Sequence, residues 1–256
     1  MAIIGQQWES LVSNCDRGPA ALAAIGLLVL DSDIVIEHEI RRFLPGEGVG
    51  LYVNRLPMAA KMTPDSLADL AGYLPTGIGN LVPNDRLDVI AFGCTSGTMA
   101  IGAQRVGEII RGARPSVKTT DPISAALKAL KQLNSRKIAL LTPYDADVNQ
   151  LLDSYLAGLD APQIIRRGCF NKNSDPTISR ISPEDIFNAG LYLASDAAVD
   201  ALFISCTALR CHSVISRLEQ RLGKPVITSN QALAWDALRL AGNNQPMAGN
   251  GVLFLN

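Results

Sequence analysis

Two cysteines stand 112 residues apart in matching text. Asp88–Thr98 reads DVIAFGCTSGT and Asp200–Arg210 reads DALFISCTALR, so Cys94 and Cys206 each follow an apolar run and each precede a threonine. A thiol is a nucleophile or base when ionised and a proton donor when not. Two of them on opposite walls of one cleft suit moving a proton across a small molecule. After Cys94, Thr95-Ser96-Gly97-Thr98 supplies three hydroxyls and a glycine. The backbone N–H groups of such a turn can approach an anion closely, and a carboxylate held there would lie beside the sulfur. A lone cysteine after an apolar strand is more often only a small buried residue. The shared position in both segments, with threonine following each time, is what distinguishes this pair. Cys15, Cys169 and Cys211 lack that context and are read as structural.

The elements that must position the pair are themselves duplicated. Ile25–Asp33 (IGLLVLDSD) aligns with Lys137–Asp145 (KIALLTPYD) at the same offset, and Pro115–Asp121 (PSVKTTD) with Pro225–Asn230 (PVITSN) at an offset of 109 to 110. Ordered segments at one spacing imply a repeated unit. Short continuous apolar runs predict strands buried on both faces at Ile25–Leu30, Gly50–Val53, Val89–Phe92, Ser116–Thr119, Ile138–Leu141, Gln163–Arg166, Ala201–Ile204 and Val226–Thr228. Thr63-Pro64-Asp65, Asp121-Pro122 and Ser182-Pro183-Glu184-Asp185 each set a capping residue before a proline and so predict helix starts. The fold class is therefore α/β: two pseudosymmetric Rossmann-like lobes with parallel sheets and an active site at their interface. The first lobe is expected over 1–115 plus 224–256, its last strand and helix returning from the second lobe, 116–223. Met1–Pro19 reads as an irregular arm, and Gly242–Gly251 as a loop before a short apolar tail. In open parallel sheets ligands bind at the carboxyl ends of strands, where both cysteines fall, each expected just before a helix. The positive end of the helix dipole is expected to lower each thiol's pKa.

Bulk properties narrow the function. Hydrophobic residues make up 48% of the 256 and charged residues 18%, which fits a globular protein with a sizeable core. A formal net charge of -1 gives no electrostatic reason to expect nucleic acid or a membrane surface as partner. Five unevenly spaced cysteines make no disulfide framework and favour a reducing cytoplasm. The apolar stretch Pro19–Leu30 is flanked by Asp16, Asp31 and Asp33, has no cleavage pattern and is too short to span a bilayer. The weakly charged surface suggests a homodimer or homotetramer.

Other chemistries find little support. Cys206, Cys211 and His212 give C-x4-C-H, but no second ligand pair of zinc spacing exists, and His38 and His212 are the only histidines. That scarcity also argues against a Ser-His or Cys-His hydrolase. His38 reads as an exposed helical position and His212 as a helix-surface or lobe contact. No G-x-G-x-x-G or G-x-x-x-x-G-K-[ST] occurs, so no cofactor and no metal is expected.

The chain resembles the aspartate/glutamate racemase superfamily, in its maleate cis-trans isomerase and arylmalonate decarboxylase branch. The resemblance is carried by Gly26–Asp33 with Glu37 and Glu39, Phe92-Gly93-Cys94-Thr95-Ser96-Gly97, Leu141-Thr142-Pro143-Tyr144, Ile181-Ser182-Pro183-Glu184, Ser205-Cys206-Thr207 and Gly223–Trp235. It implies a cofactor-independent enzyme acting on a small carboxylic acid. Carried over, Cys94 is the nucleophile or base and Cys206 the proton donor. Thr95, Ser96 and Thr207 match carboxylate-binding turns, and Tyr144 and Asn173 match donors to a substrate carboxylate. Asp31, Ser32, Asp33 and Ala208 complete the candidate binding residues.

Two departures stand out. Such isomerases typically carry asparagine at the positions of Asp33 and Ala208. A carboxylate in place of a neutral donor repels an anion and would suit a substrate ammonium group. The alternative is that Asp31 caps a turn and Asp33 points to solvent. The first-strand text and Ile36–Arg42 also resemble a subgroup associated with ectoine breakdown. An isomerase or racemase, a decarboxylase of a malonate-like acid, and a metabolite-binding protein without turnover all remain open at this level.

Overall fold

A computed structural model describes residues 8–256. The first part of the Met1–Pro19 arm lies outside the described residues, and residues 8–22 form neither helix nor strand. Each apolar run named above falls on a strand, although Ser116 and Val117 precede theirs and the runs at Gly50–Val53 and Gln163–Arg166 are not fully buried as expected, and the strands build two four-stranded parallel sheets. One contains β1 (Ala23–Leu30), β2 (Val49–Leu56), β3 (Val89–Phe92) and β4 (Lys118–Thr120) in the order β2-β1-β3-β4. The other contains β5 (Lys137–Tyr144), β6 (Gln163–Lys172), β7 (Ala201–Ile204) and β8 (Val226–Thr228) in the order β6-β5-β7-β8. The topology is the same in both, as the duplicated text requires.

The repeat reaches individual hydrogen bonds. Asp88, just before β3, accepts the Ala24 N–H of β1 at 2.8 Å. Asp200, 112 residues later and just before β7, accepts the Arg136 and Lys137 N–H groups at 3.0 and 2.8 Å. In both lobes a carboxylate satisfies the amide that would be orphaned where the first strand begins. The strands β1, β3 and β7 are buried throughout, which accounts for their unbroken apolar runs.

Helices follow the strands in turn. The first repeat holds α1 (Ile36–Phe43), α2 (Pro64–Ala68), α3 (Leu70–Gly79), α4 (Thr95–Ile101), α5 (Ala103–Ala113) and α6 (Pro122–Gln132). The second holds α7 (Ala146–Ala157), α8 (Asp175–Ile178), α9 (Pro183–Ala194), α10 (His212–Leu222) and α11 (Ser229–Leu240), and Val252–Leu255 ends the chain as a 3-10 turn. The three start signals are real caps. Thr63 and Ser66 form a capping box, Asp121 accepts the Ile123 and Ser124 N–H groups, and Ser182 accepts that of Asp185. Gly223, at φ +63°, closes α10 in a left-handed conformation suited to glycine.

The lobe boundaries differ from those expected. The strand expected to open the second lobe, β4, pairs with β3 of the first sheet. The strand expected to return to the first lobe, β8, pairs with β7 of the second. Each fourth strand extends its own sheet, and the following helices do the crossing. The helices α6 and α11 pack against each other; α11 also packs on α1, β3 and β4, and α6 on β8. Apolar periodicity reports that a strand is buried but not which sheet it joins. Among the described residues no helix is long and apolar enough to cross a membrane.

Candidate active site

Both cysteines leave a carboxyl strand end and both are buried, Cys94 at 3% and Cys206 at 5% exposure. Cys94 is the N-cap of α4, and its Sγ accepts the Gly97 N–H at 3.2 Å and lies 3.7 Å from Ser96 Oγ. Cys206 differs from expectation. It is followed by a turn rather than a helix, and α10 begins only at His212. The Ala208 N–H nevertheless favours ionisation of its thiol.

The thiol pKa values move opposite to the expected direction. Burial pushes Cys94 up to about 12 against the Gly97 N–H, with Asp175 and Asp33 adding to the rise and Ser96 opposing it. Burial and then Asp175 push Cys206 well above the usual thiol range, against Tyr144 and Ala208. One turn of helix dipole and one N–H do not offset complete desolvation of a thiolate. Both cysteines are thus neutral thiols before a ligand arrives.

Tyr144, at the end of β5, is buried, and its hydroxyl has no hydrogen-bond partner among the described residues. Burial first, then Cys206, then Cys94 and Asp175, push its phenol well above the usual range. The two cysteines, Tyr144 and Asp175 therefore share one electrostatic neighbourhood. A buried polar atom without a partner is costly, which makes this hydroxyl a candidate donor to a ligand.

The loop after β1 does not place its three residues alike. Asp31 is exposed and accepts the Met58 N–H at 3.2 Å. Asp33 is buried rather than solvent-facing, and its Oδ1 accepts the Val35 and Ile36 N–H groups at 2.8 and 3.0 Å. Desolvation raises its pKa, opposed by those amides, the Thr207 hydroxyl and Arg55. Arg55 itself is held by the Asp31 and Asp33 carbonyls and by Glu37. Ser32 donates its hydroxyl to Asp175 at 2.5 Å.

The other candidates are tied into the surrounding scaffold. Thr95 is buried and its Oγ1 lies 3.1 Å from Ser229 Oγ, tying α4 to the first residue of α11. Thr207 and Ala208 are buried, and the Thr207 carbonyl accepts from Asn230 at 2.8 Å. Asn173 is half-buried, and its carbonyl accepts the Met62 N–H at 3.0 Å, joining the exit of β6 to the first lobe. His38 is exposed, and His212 packs its ring 4.9 Å from Phe43 as a lobe contact. Two hollows, of about 660 and 260 Å³, are lined by residues around Lys128–Gln163 and along β5, β6 and α7, and neither is lined by Cys94 or Cys206. Both cysteines instead sit at carboxyl strand ends, where open parallel sheets bind ligands.

Three residues at or behind this site carry roles that sequence reasoning missed. Asp175 opens α8 in Ser174-Asp175-Pro176, a capping signal equivalent to Thr63-Pro64 in the first repeat, so the repeat itself could have pointed to it. Glu39, noted only for its resemblance, is buried on α1 and accepts from the His212 N–H at 2.8 Å and Asn230 Nδ2 at 3.0 Å. Asn230 thus links Glu39 to the Thr207 carbonyl beside Cys206.

Residues 106–254, more than half of the chain, match the arylmalonate decarboxylase family. The chain belongs to that family. A curated member, the arylmalonate decarboxylase of Bordetella bronchiseptica, is 33% identical over 136 residues, which span 51% of this chain and 55% of that protein. The match to this relative therefore covers only about half of its length. The maleate isomerase of Alcaligenes faecalis is 22% identical over 238 residues, spanning 86% and 90% of the two chains. Among solved structures, a mutant maleate cis-trans isomerase of Nocardia farcinica with a covalently bound succinylcysteine intermediate superposes with a TM-score of 0.82 at 22% identity, over 91% of this chain and 98% of that one. The family's two-lobed fold is the one described above.

Within the candidate site, Gly97 has a steric as well as a hydrogen-bonding reason to be glycine. An added Cβ would stand 2.9 Å from Leu70 Cδ1, 3.0 Å from Cys94 Sγ and 3.1 Å from Phe92 Cζ. We expect Gly97→Ala to destabilise the protein by about 1–3 kcal/mol through overpacking. It should also displace the thiol that the Gly97 N–H holds. Urea unfolding checks the first effect and the rate of alkylation at Cys94 the second.

Proposed function

We propose that this family member is a cofactor-independent isomerase or racemase of a small carboxylic acid, with Cys94 and Cys206 as its paired acid and base. The observation that carries this reading is that two buried thiols, at equivalent positions of duplicated lobes, share Tyr144 and Asp175 as electrostatic neighbours. A substrate carboxylate is held by the Thr95, Ser96 and Tyr144 hydroxyls and the N–H groups of the Cys94 turn. The Cys94 thiolate takes a proton from the adjacent carbon, whose electron pair moves into the carboxylate as an enediolate. Cys206 then protonates that carbon from the opposite face. With a cis-alkene diacid, Cys94 instead adds to the double bond while Cys206 protonates the neighbouring carbon. Rotation about the new single bond and reversal of the addition give the trans acid. The hydroxyls contribute most where negative charge develops on the carboxylate.

A second reading is favoured by the family match and by the 33% relative: decarboxylation of a malonate-like acid, with one thiol protonating the enediolate left by carbon dioxide. Retention of both cysteines supports the isomerase, since the resemblance implies that the decarboxylase subgroup keeps only one.

A panel of dicarboxylates, amino acids and malonates incubated in deuterium oxide separates these readings. Racemisation is expected to place solvent deuterium on the carbon beside a carboxylate without loss of carbon dioxide, and cis-trans isomerisation to convert the cis diacid to its trans isomer, again without loss of carbon dioxide. Deuterium incorporation coupled to carbon dioxide release would assign the decarboxylase instead. Tight binding with neither exchange, isomerisation nor carbon dioxide release from any acid would make the protein a metabolite binder and end the enzymatic reading.

A further inference from the structure

The most unusual group near the thiols is Asp175. It is 5% exposed, and Ser32 fixes one of its oxygens with a 2.5 Å hydrogen bond across the lobes. Among the described residues it has no salt-bridge partner, and neither does Asp33. Among the described residues the cation acting on Asp33, Arg55, is already committed to backbone carbonyls and Glu37. Burial and then the nearby Asp33 raise the Asp175 carboxyl to about 6, so at neutral pH it is mostly an anion without a counterion. Buried charges are ordinarily paired.

What lies beside Asp175 fits a ligand. It shares with Ser32, Ser174 and the apolar Met58, Ala60 and Met62 the lining of a cavity of about 150 Å³. Independently, the buried Tyr144 hydroxyl stands without a partner within electrostatic reach of Asp175 and both cysteines. Among the described residues no three metal-ligating side chains converge, which favours an organic cation over a metal ion.

We propose that the substrate is a small carboxylic acid bearing a cationic nitrogen, and that Asp175, oriented by Ser32, binds that nitrogen while the Cys94 turn and Tyr144 bind the carboxylate. This rests on the proposed function for the existence of turnover, but the recognition claim is testable by binding alone. It also resolves an electrostatic difficulty. After burial, the Asp175 charge is the largest factor opposing ionisation of Cys94. A bound cation cancels that field and favours the thiolate when substrate is present. A dianion would strengthen the field.

Calorimetry with isosteric probe pairs tests the proposal: aspartate against malate, glutamate against 2-hydroxyglutarate, and 4-aminobutyrate against 4-hydroxybutyrate. At least one amino member is expected to bind about 10- to 100-fold tighter than its hydroxy partner, the range of a charge-assisted contact. Asp175→Asn, which keeps an acceptor for Ser32, should erase that preference and leave the hydroxy acid bound as well or better. If Asp175→Asn does not fold by thermal denaturation, Ser32→Ala serves, with the preference expected to fall severalfold. Equal binding within every pair, no binding of any member, or a preference unchanged in the variant overturns the proposal. Amino-acid preference without deuterium exchange would leave this inference standing and remove the enzymatic one.

Discussion

Cys94→Ser and Cys206→Ser are each expected to lower kcat by about 10²- to 10⁴-fold, the range for loss of a positioned acid or base. Serine is a poorer proton donor than a thiol and a far weaker nucleophile. Both sulfurs are buried, and serine is a close replacement in volume, so little global stability should be lost. Because burial pushes both thiols up, Cys94 to about 12, kcat/KM is expected to climb with pH between about 7 and 9 rather than peak near neutrality. Steady-state rates across that range check both statements. Full activity in either serine variant would remove that sulfur from the mechanism.

Stability should fall as pH rises through the range where Glu39 ionises, and Glu39→Gln should abolish much of that fall. Burial first, opposed by the His212, Asn230 and Cys211 donors, raises this carboxyl from 4.5 to about 7. The folded protein therefore binds the proton more tightly than the unfolded chain, so this contribution is fully present below pH 4.5 and is lost as pH rises through about 7. Between about pH 5 and 8 the wild-type protein is expected to lose about 2–3 kcal/mol from this group alone, taking about 1.36 kcal/mol per unit of pKa. Glutamine cannot ionise, so its unfolding free energy should change less over the same interval by about that amount. Urea unfolding at the two pH values measures the difference. Equal pH dependence in both proteins would mean that Glu39 keeps an ordinary pKa. The consequence reaches the site because Asn230 bonds both Glu39 and the Thr207 carbonyl.

What the chain discloses without coordinates follows from how local each property is. Burial of β1, β3 and β7 on both faces is written in unbroken apolar runs such as Val89–Phe92 and Ala201–Ile204. Capping is likewise local, and Thr63, Asp121 and Ser182 can be found by type and spacing. The duplication exposes Cys94 and Cys206 because it compares two sites within one chain. The remainder depends on tertiary contacts. No pattern distinguishes a strand of one sheet from a strand of the other, so sequence reasoning assigns β4 and β8 to the wrong lobes. It also expects acidified thiols, because the helix start is legible and the desolvation is not. Asp33 and Asp31 are two residues apart and identical in type, yet one is buried against backbone amides and the other is exposed. Asp175 gains its meaning only from Ser32, 143 residues away.

The central claim is that both sulfurs act on one bound molecule. The most direct measurement is a crystal structure of Cys206→Ser soaked with an acid that the wild-type protein turns over. The account predicts the reacting carbon between Cys94 Sγ and the hydroxyl introduced in place of the Cys206 thiol, about 3–3.5 Å from each, with the carboxylate on the Thr95–Gly97 turn. An acid bound where only one of the two positions can touch it, or bound in another cavity altogether, would contradict the account.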